Sequence, residues 1–226
     1  MNMTLKPEFG LSGSALKVIA MISMVIDHVA LYLMEHGTVL YGTMRCIGRI
    51  AFPVFAFLIA EGFIHTKSRY RYFFTLLGFA VISEIPWYLL NGADGTHNVM
   101  FTLALGVATL MVLENLLQRS IVLGFLWTLG MSGLASWLGV DYEWRGILVI
   151  VIFYLFNGHG HSFPYSKDMQ FFCTFALMHY GIIGAVMAYM IIYLYDGTRG
   201  FIQVSIAKYG FYAFYPIHLV FLLTVL

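Results

Sequence analysis

Long apolar runs alternate along the chain with short polar interruptions. Near 15–34, 45–64, 72–90, 99–117, 120–138, 145–157, 170–195 and 205–226 each run approaches the length of about 20 residues that a helix needs to cross a bilayer. The pattern predicts an all-α fold, a polytopic transmembrane helical bundle of about 8 spans, or up to about 10 if long runs break. Two runs depart from the norm. The stretch from Arg145 to Phe156 is short for a full crossing, and that from Gln170 to Tyr195 is long enough to tilt, or to break at Gly181 or Gly184. The first run carries Asp27 and His28 and lacks a small-residue cleavage site, so it reads as a retained helix. With no repeat or low-complexity segment in sight, residues 1–226 read as a single integral membrane domain.

Composition narrows the function classes. Apolar residues make up 61% of the chain when tyrosine is counted, against roughly half in soluble domains. Twelve basic and 11 acidic residues leave a net charge of +1, so the basic excess that neutralises nucleic-acid phosphates is missing. The partners to expect are the lipid bilayer and a small or peptide substrate; an oligomer is left open. Cys46 and Cys173 stand far apart in apolar runs, which excludes a disulfide framework or a cysteine-rich metal module.

The densest basic loop, His65-Thr-Lys67-Ser-Arg69-Tyr-Arg71, faces the cytoplasm by the positive-inside rule. The amino terminus then lies inside too, in keeping with Lys6 and Lys17, and the Asn91–His97 loop faces outward. The expected location is the cell (inner) membrane, multi-pass.

Ionisable groups within the runs carry the chemical information, because a charge at bilayer depth costs several kcal/mol unless it faces a partner or water. With outer ends near Met34, Arg45 and Leu90 and a rise of about 1.5 Å per residue, His28, Arg49 and Glu84 fall roughly 9, 6 and 9 Å below the outer surface. His218 reaches the same level from roughly 15 Å down, and Arg45 and Asn98 are expected at the rim. Arg45 and Arg49 share a helix face as an i,i+4 pair, so they need an anion, and Asp27, Glu84 or a ligand would serve. Asp27 and His28, being neighbours, point about 100° apart, so one faces the chamber and the other an adjacent helix. Pro53 and Pro86 permit kinks that widen a cavity.

Other polar residues have plainer readings. Glu61 lies near the cytoplasmic end and is expected to pair with Lys67, Arg69 or Arg71. His159, His161 and Lys167 read as a solvated loop without enough ligands for a metal. His179 reads as a satisfied core histidine, and Gly48 and Gly62 suit close helix approach.

The polar residues fall in blocks that resemble the TraX family. These are Ile19 through Asp27-His28; Arg45-Cys-Ile-Gly48-Arg49-Ile-Ala-Phe52-Pro53-Val-Phe55-Ala-Phe57 with Glu61-Gly62-Phe63; Ile82-Ser-Glu84-Ile-Pro86; Asn98-Val-Met-Phe101-Thr102; Tyr195-Asp-Gly197-Thr-Arg199-Gly200; and Lys208 through Tyr215-Pro216-Ile-His218. The resemblance runs nearly end to end. The closing Tyr-Pro-x-His is also similar, more distantly, to membrane acyltransferases that use acyl-coenzyme A. The resemblance implies an integral membrane N-acetyltransferase with acetyl-CoA as donor and, as in F-pilin acetylation, a peptide amino terminus as acceptor; a small amine or hydroxyl compound is the other option.

On that reading His28, Asp27, Arg49 and Glu84 are the catalytic candidates, with His28 as general base, Asp27 or Glu84 tuning it, and Arg49 stabilising the oxyanion. Arg45, Asn98 and His218 would bind substrate, and Lys67, Arg69 and Arg71, with Lys167, would meet the phosphates of coenzyme A. Two other classes use the same charges. A small transporter or proton-coupled carrier would make them an ion relay, and a non-catalytic membrane subunit would use them for assembly.

Overall fold

The computed structural model describes residues 10–157, 170–172, 176–202 and 205–226, the side chains of 205–208 excepted. Lys6, His159, His161, Lys167, Cys173 and the side chain of Lys208 lie outside the described residues. Within them run nine helices: α1 Gly13–Leu33, α2 Val39–Gly48, α3 Ala51–His65, α4 Arg69–Asn91, α5 Val99–Arg119, α6 Ile121–Trp137, α7 Glu143–Leu155, α8 Met178–Tyr193 and α9 Ser205–Val225. The all-helical reading holds. Gly13–Leu33, the stretch Val39–His65, Arg69–Asn91 and Val99–Arg119 are each long and apolar enough to cross a bilayer, and three shorter apolar helices accompany them.

The outside of the bundle is apolar. On α4, Phe74, Val81, Ile82, Ile85, Tyr88 and Leu89 are all more than half exposed and recur at helical spacing. A soluble monomer rarely leaves so continuous an apolar stripe in water; lipid is its natural solvent. The inside is centred on α3, where ten of 15 residues are buried. It packs against α1, α5, α7 and α8. Helix α7, with 13 residues, is the short run noted above, and its length is explained by its place: Ile147, Val149, Ile150 and Phe153 are at most 1% exposed, so it is a core helix surrounded by longer ones.

The run expected to start at Arg45 begins at Val39, where the Thr38 side chain caps the Tyr41 N–H at 3.1 Å. It also breaks. Pro53 has no N–H for the Arg49 carbonyl and its ring crowds that carbonyl, so α2 ends at Gly48 and α3 restarts at Ala51 with Pro53 in its first turn, where a missing N–H costs nothing. Pro86, by contrast, stays inside a continuous α4. In the last long run the break falls at Gly181, whose φ of 125° interrupts α8.

Short backbone pairings tie the two ends. At one, His97 donates to Gly139 and Asp141 donates to His97, both at 2.9 Å. At the other, Leu11 donates to Leu194 at 2.8 Å, Gly13 to Thr198 at 2.8 Å and Ser14 to Arg199 at 3.0 Å.

Two glycines set the closest helix contacts. A Cβ on Gly48 would lie 2.3 Å from the Asp27 Cβ, and one on Gly184 would lie 2.4 Å from the Arg49 Cβ. Gly48→Ala will therefore destabilise the purified protein by about 1–3 kcal/mol, as overpacking does. Gly42→Ala, in the same helix with nothing within 4 Å, will be neutral or mildly stabilising. Thermal unfolding in detergent compares the two, and an equal effect at both positions would contradict the α1–α2 contact.

Candidate functional site

The site is built where α1, α2 and α9 meet. Gly48 lets α2 lie on Asp27, and Arg45, one turn earlier, donates through Nη1 to Asp27 Oδ2 at 2.6 Å. Arg45 is thus inside the bundle, its side chain 19% exposed, and not at the rim. The helix begins earlier than its hydropathy suggested. The other Asp27 oxygen, Oδ1, is buried with no hydrogen-bond partner. Asp27 and His28 diverge: the carboxylate faces α2, and the imidazole faces α9.

There His28 Nδ1 lies 2.7 Å from His218 Nε2, with the rings nearly coplanar, 4.9 Å between centroids and 7° between planes. Hydrogen-bond logic fixes the tautomers of the neutral pair. His218 Nδ1 is 3.1 Å from the Phe214 carbonyl, which can only accept, so Nδ1 carries the proton. His218 Nε2 then holds a lone pair and accepts from His28 Nδ1–H, and His28 Nε2 is left as a proton acceptor. Tyr215 closes the pair from the side, its ring 5.2 Å from His218 and 6.5 Å from His28. Its hydroxyl is buried and makes no hydrogen bond, although the Val99 backbone N–H lies near it. An unmet buried hydroxyl costs about 1–3 kcal/mol.

Arg49 occupies the break between α2 and α3, with Asp27, Asp141 and Tyr142 beside it and its guanidinium 5.9 Å from the Tyr180 ring. Asp141 and Tyr142 carry no intramembrane-charge signal in the sequence, because they fall in the short connection between two apolar runs. The chain bends sharply there: Tyr142 and Glu143 have φ of 64° and 46°, a region non-glycine residues rarely adopt. What holds the bend is contact. Tyr142 stacks on Phe52 at 3.7 Å, its N–H donates to Asp141 Oδ1 at 2.9 Å, and the Asp141 carbonyl accepts from the Thr102 hydroxyl.

Glu84 does not join His28 and Arg49. It sits with His97 and Asn98, with His97 Nδ1 2.5 Å from Oε1 and Asn98 Nδ2 donating to Oε2 at 2.6 Å. Asn98 is fully buried, caps α5 by accepting from Met100 N, and gives its second amide hydrogen to the Ala80 carbonyl at 2.9 Å. Its polar atoms are committed to structure. Proximity in depth brought Glu84 into the expected group, but the azimuth around α4 that decides its partners is not contained in a depth count.

Three other readings also change. Glu61 pairs with His65 at 3.4 Å, accepts from the Asn157 amide and meets Tyr195 at 3.3 Å. Arg69 forms a two-point ion pair with Glu114 and covers the Phe63 ring at 4.5 Å. His179 is exposed and touches Tyr180 edge-on. Lys67 and Arg71 line a cavity of about 520 Å³ whose far wall includes Val99, Met100 and Tyr215.

The fold and this polar cluster, enclosed by apolar helices, define a multi-pass membrane protein with ionisable groups assembled inside it. The chain belongs to the TraX family: the model described as "TraX protein" matches residues 12–226. It is 28% identical to the "Probable fimbrial assembly protein FimC, serogroup H1" of Dichelobacter nodosus over 93% of this chain and 94% of that one. It is also 31% identical to an uncharacterized protein of Rickettsia prowazekii (strain Madrid E), over 80% of this chain and 67% of the relative. No solved structure matches it.

Burial pushes the Asp141 carboxyl, in the turn outside the helices, up to about 6, against the opposing pull of the Tyr142 N–H and Arg49. A raised folded-state value means that the contribution to stability is full below the unfolded value near 4 and is lost as pH rises through about 6. A shift of about two units is worth at most about 3 kcal/mol. The unfolding temperature of the native chain will therefore drop relative to Asp141→Asn, which keeps an oxygen for Tyr142, as pH rises from 4 to 7.5, by roughly 2–4 °C per kcal/mol. A pH-independent difference between the two proteins would show that Asp141 is solvated.

Proposed function

We propose that the chain is an integral membrane acyltransferase, and by its family an N-acetyltransferase, that moves acetyl from acetyl-CoA to an acceptor amine in the chamber between α1, α2 and α9. The observation that carries this reading is the relay from the Phe214 carbonyl through His218 to His28, which leaves His28 Nε2 unprotonated and oriented. A metal-independent amine acylation needs that kind of base.

In the proposed reaction the acceptor nitrogen attacks the thioester carbonyl, the new C–N bond forms, and His28 takes the amine proton. Collapse of the tetrahedral intermediate breaks the C–S bond, and the proton goes to the departing thiolate. Arg49 faces the developing oxyanion. Asp27 holds Arg45 and balances both arginines, so that their positive field remains without mutual repulsion. His218 acts through His28 by fixing its tautomer, while Glu84 and Asn98 hold the α4–α5 end. The donor enters from the side of Lys67 and Arg71, which the positive-inside rule makes the cytoplasm. The D. nodosus relative is named for fimbrial assembly, which supports a pilin-like amino terminus as acceptor, though the chamber sets no requirement beyond a nucleophilic nitrogen or oxygen.

The protein in lipid nanodiscs, given labelled acetyl-CoA and a synthetic peptide with a free amino terminus or hexylamine, is expected to label the amine. His28→Ala will lower turnover by about 10²–10⁴ and Arg49→Ala by about 10²–10³, with folding checked by unfolding temperature. Turnover by folded His28→Ala near that of the native chain would remove the histidine from the mechanism.

A further inference from the structure

The cavity outside the histidine chamber has a polarity along its length that indicates an occupant. It lies between α1, α3, α4, α5 and α9. Its volume of about 520 Å³ is within the range of sites that take small organic ligands. One end is lined by Lys17 of α1, Lys67 and Arg71 around the start of α4, and Arg199 of the α8–α9 connection. These cations come from three separate parts of a chain whose net charge is only +1, and no Asp or Glu lines the cavity among the described residues. Their convergence is built. Ser14 N–H and the Ser14 hydroxyl both bond the Arg199 carbonyl, at 3.0 and 2.7 Å. Gly200, with φ of 83°, lets the connection press onto Ser12, where any Cβ would fall 2.2 Å from the hydroxyl. The α4 N-terminus, capped by Ser68, adds its helix dipole on the same side.

The walls between are apolar and thioether-rich, with Met21, Met24, Phe55 and Leu103. The inner end lies at Val99 and Tyr215. Asn98 bonds the Ala80 carbonyl, and from Arg71 to Ala80 α4 rises about 14 Å, which sets the depth. At that end the Tyr215 ring lines the cavity, and the same ring packs on His218 with 5.2 Å between centroids. The feature is thus a slot with cations at its mouth, an apolar shaft and an aromatic wall at its inner end, one ring away from the proposed base.

We infer that this cavity is the tunnel for the coenzyme A thioester: Lys17, Lys67, Arg71 and Arg199 receive the nucleotide phosphates, the shaft receives the pantetheine arm, and the thioester end reaches the wall formed by Val99 and Tyr215. The identity of the ligand rests on the acyltransferase reading, whereas the polarity of the slot stands without it. Arg69, held by Glu114, is outside the set.

The test uses two donors, acetyl-CoA and acetyl-pantetheine, which carries the same thioester and arm without the nucleotide phosphates. In Arg71→Ala/Arg199→Ala the KM for acetyl-CoA will rise about tenfold or more, the loss of roughly one charge-assisted phosphate contact. Its kcat, and both constants for acetyl-pantetheine, will stay near native. Arg199→Lys will restore most of the affinity. Unchanged KM for acetyl-CoA in the folded mouth variant, or equal changes for both donors, overturns the tunnel. If the native protein transfers acetyl from neither donor, coenzyme A itself is the probe. A rise in unfolding temperature of the native chain that the mouth variant lacks sustains the tunnel and fails the reaction, and no rise at millimolar coenzyme A overturns the tunnel too.

Discussion

Ion compensation inside the bundle governs the arrangement of everything around it. Arg45 and Arg49 lie one turn apart at the end of α2, and two guanidinium groups at that spacing repel each other in a low-dielectric interior unless carboxylates stand beside them. Asp27 takes Arg45 directly, and Asp27 and Asp141 share the field of Arg49. That demand fixes where α1 lies on α2, requires glycine at 48, and holds the turn after α6 in a left-handed conformation it would not otherwise keep. The carbonyl end of α2 assists, since a helix C-terminus favours a nearby cation. An α1–α2 contact made for packing alone would place an apolar residue where Asp27 stands.

Breaks in the helices serve the same centre. Pro53 interrupts the second long run at Arg49, and Gly181 interrupts α8 beside it, with Gly184 close enough that a methyl would strike Arg49. Irregular backbone at membrane depth is tolerated where it is enclosed by protein. Here two such irregularities flank one arginine. The polar chamber and the broken helices are one feature described from two directions.

Much of this was legible before any coordinates. Hydropathy runs placed the helices, the short run proved to be the core helix α7, and the break in the long run fell at one of the two glycines named for it. Charges at bilayer depth pointed to Asp27, His28, Arg45, Arg49 and His218, which do come together. What depth could not supply was azimuth. Glu84 shares their level, yet α4 turns it toward His97 and Asn98. Asn98 read as a substrate-binding residue and is an N-cap, a role readable from an asparagine immediately before an apolar run. Thr38 gives the same kind of signal for the early start of α2. Asp141 and Tyr142 were hidden because loop residues between apolar runs carry no cost signal, and their partner Arg49 is distant in sequence. Tyr215, Lys17 and Arg199 were visible only as members of motifs or as votes on orientation, since nothing local says that three segments converge on one cavity.

The cationic cavity and the histidine pair meet at one aromatic ring. Tyr215 lines the inner end of a slot whose mouth is basic and packs on a histidine whose Nδ1 is already engaged. An ion carrier would need a wet and continuous path through the bundle, with charged groups spaced along it. The cavity instead is apolar between its mouth and its inner wall, and the charges gather beyond that wall, on the far side of Tyr215 and around Arg49. Such an arrangement suits a reaction in which a long donor reaches in from one side while the group it meets is held on the other.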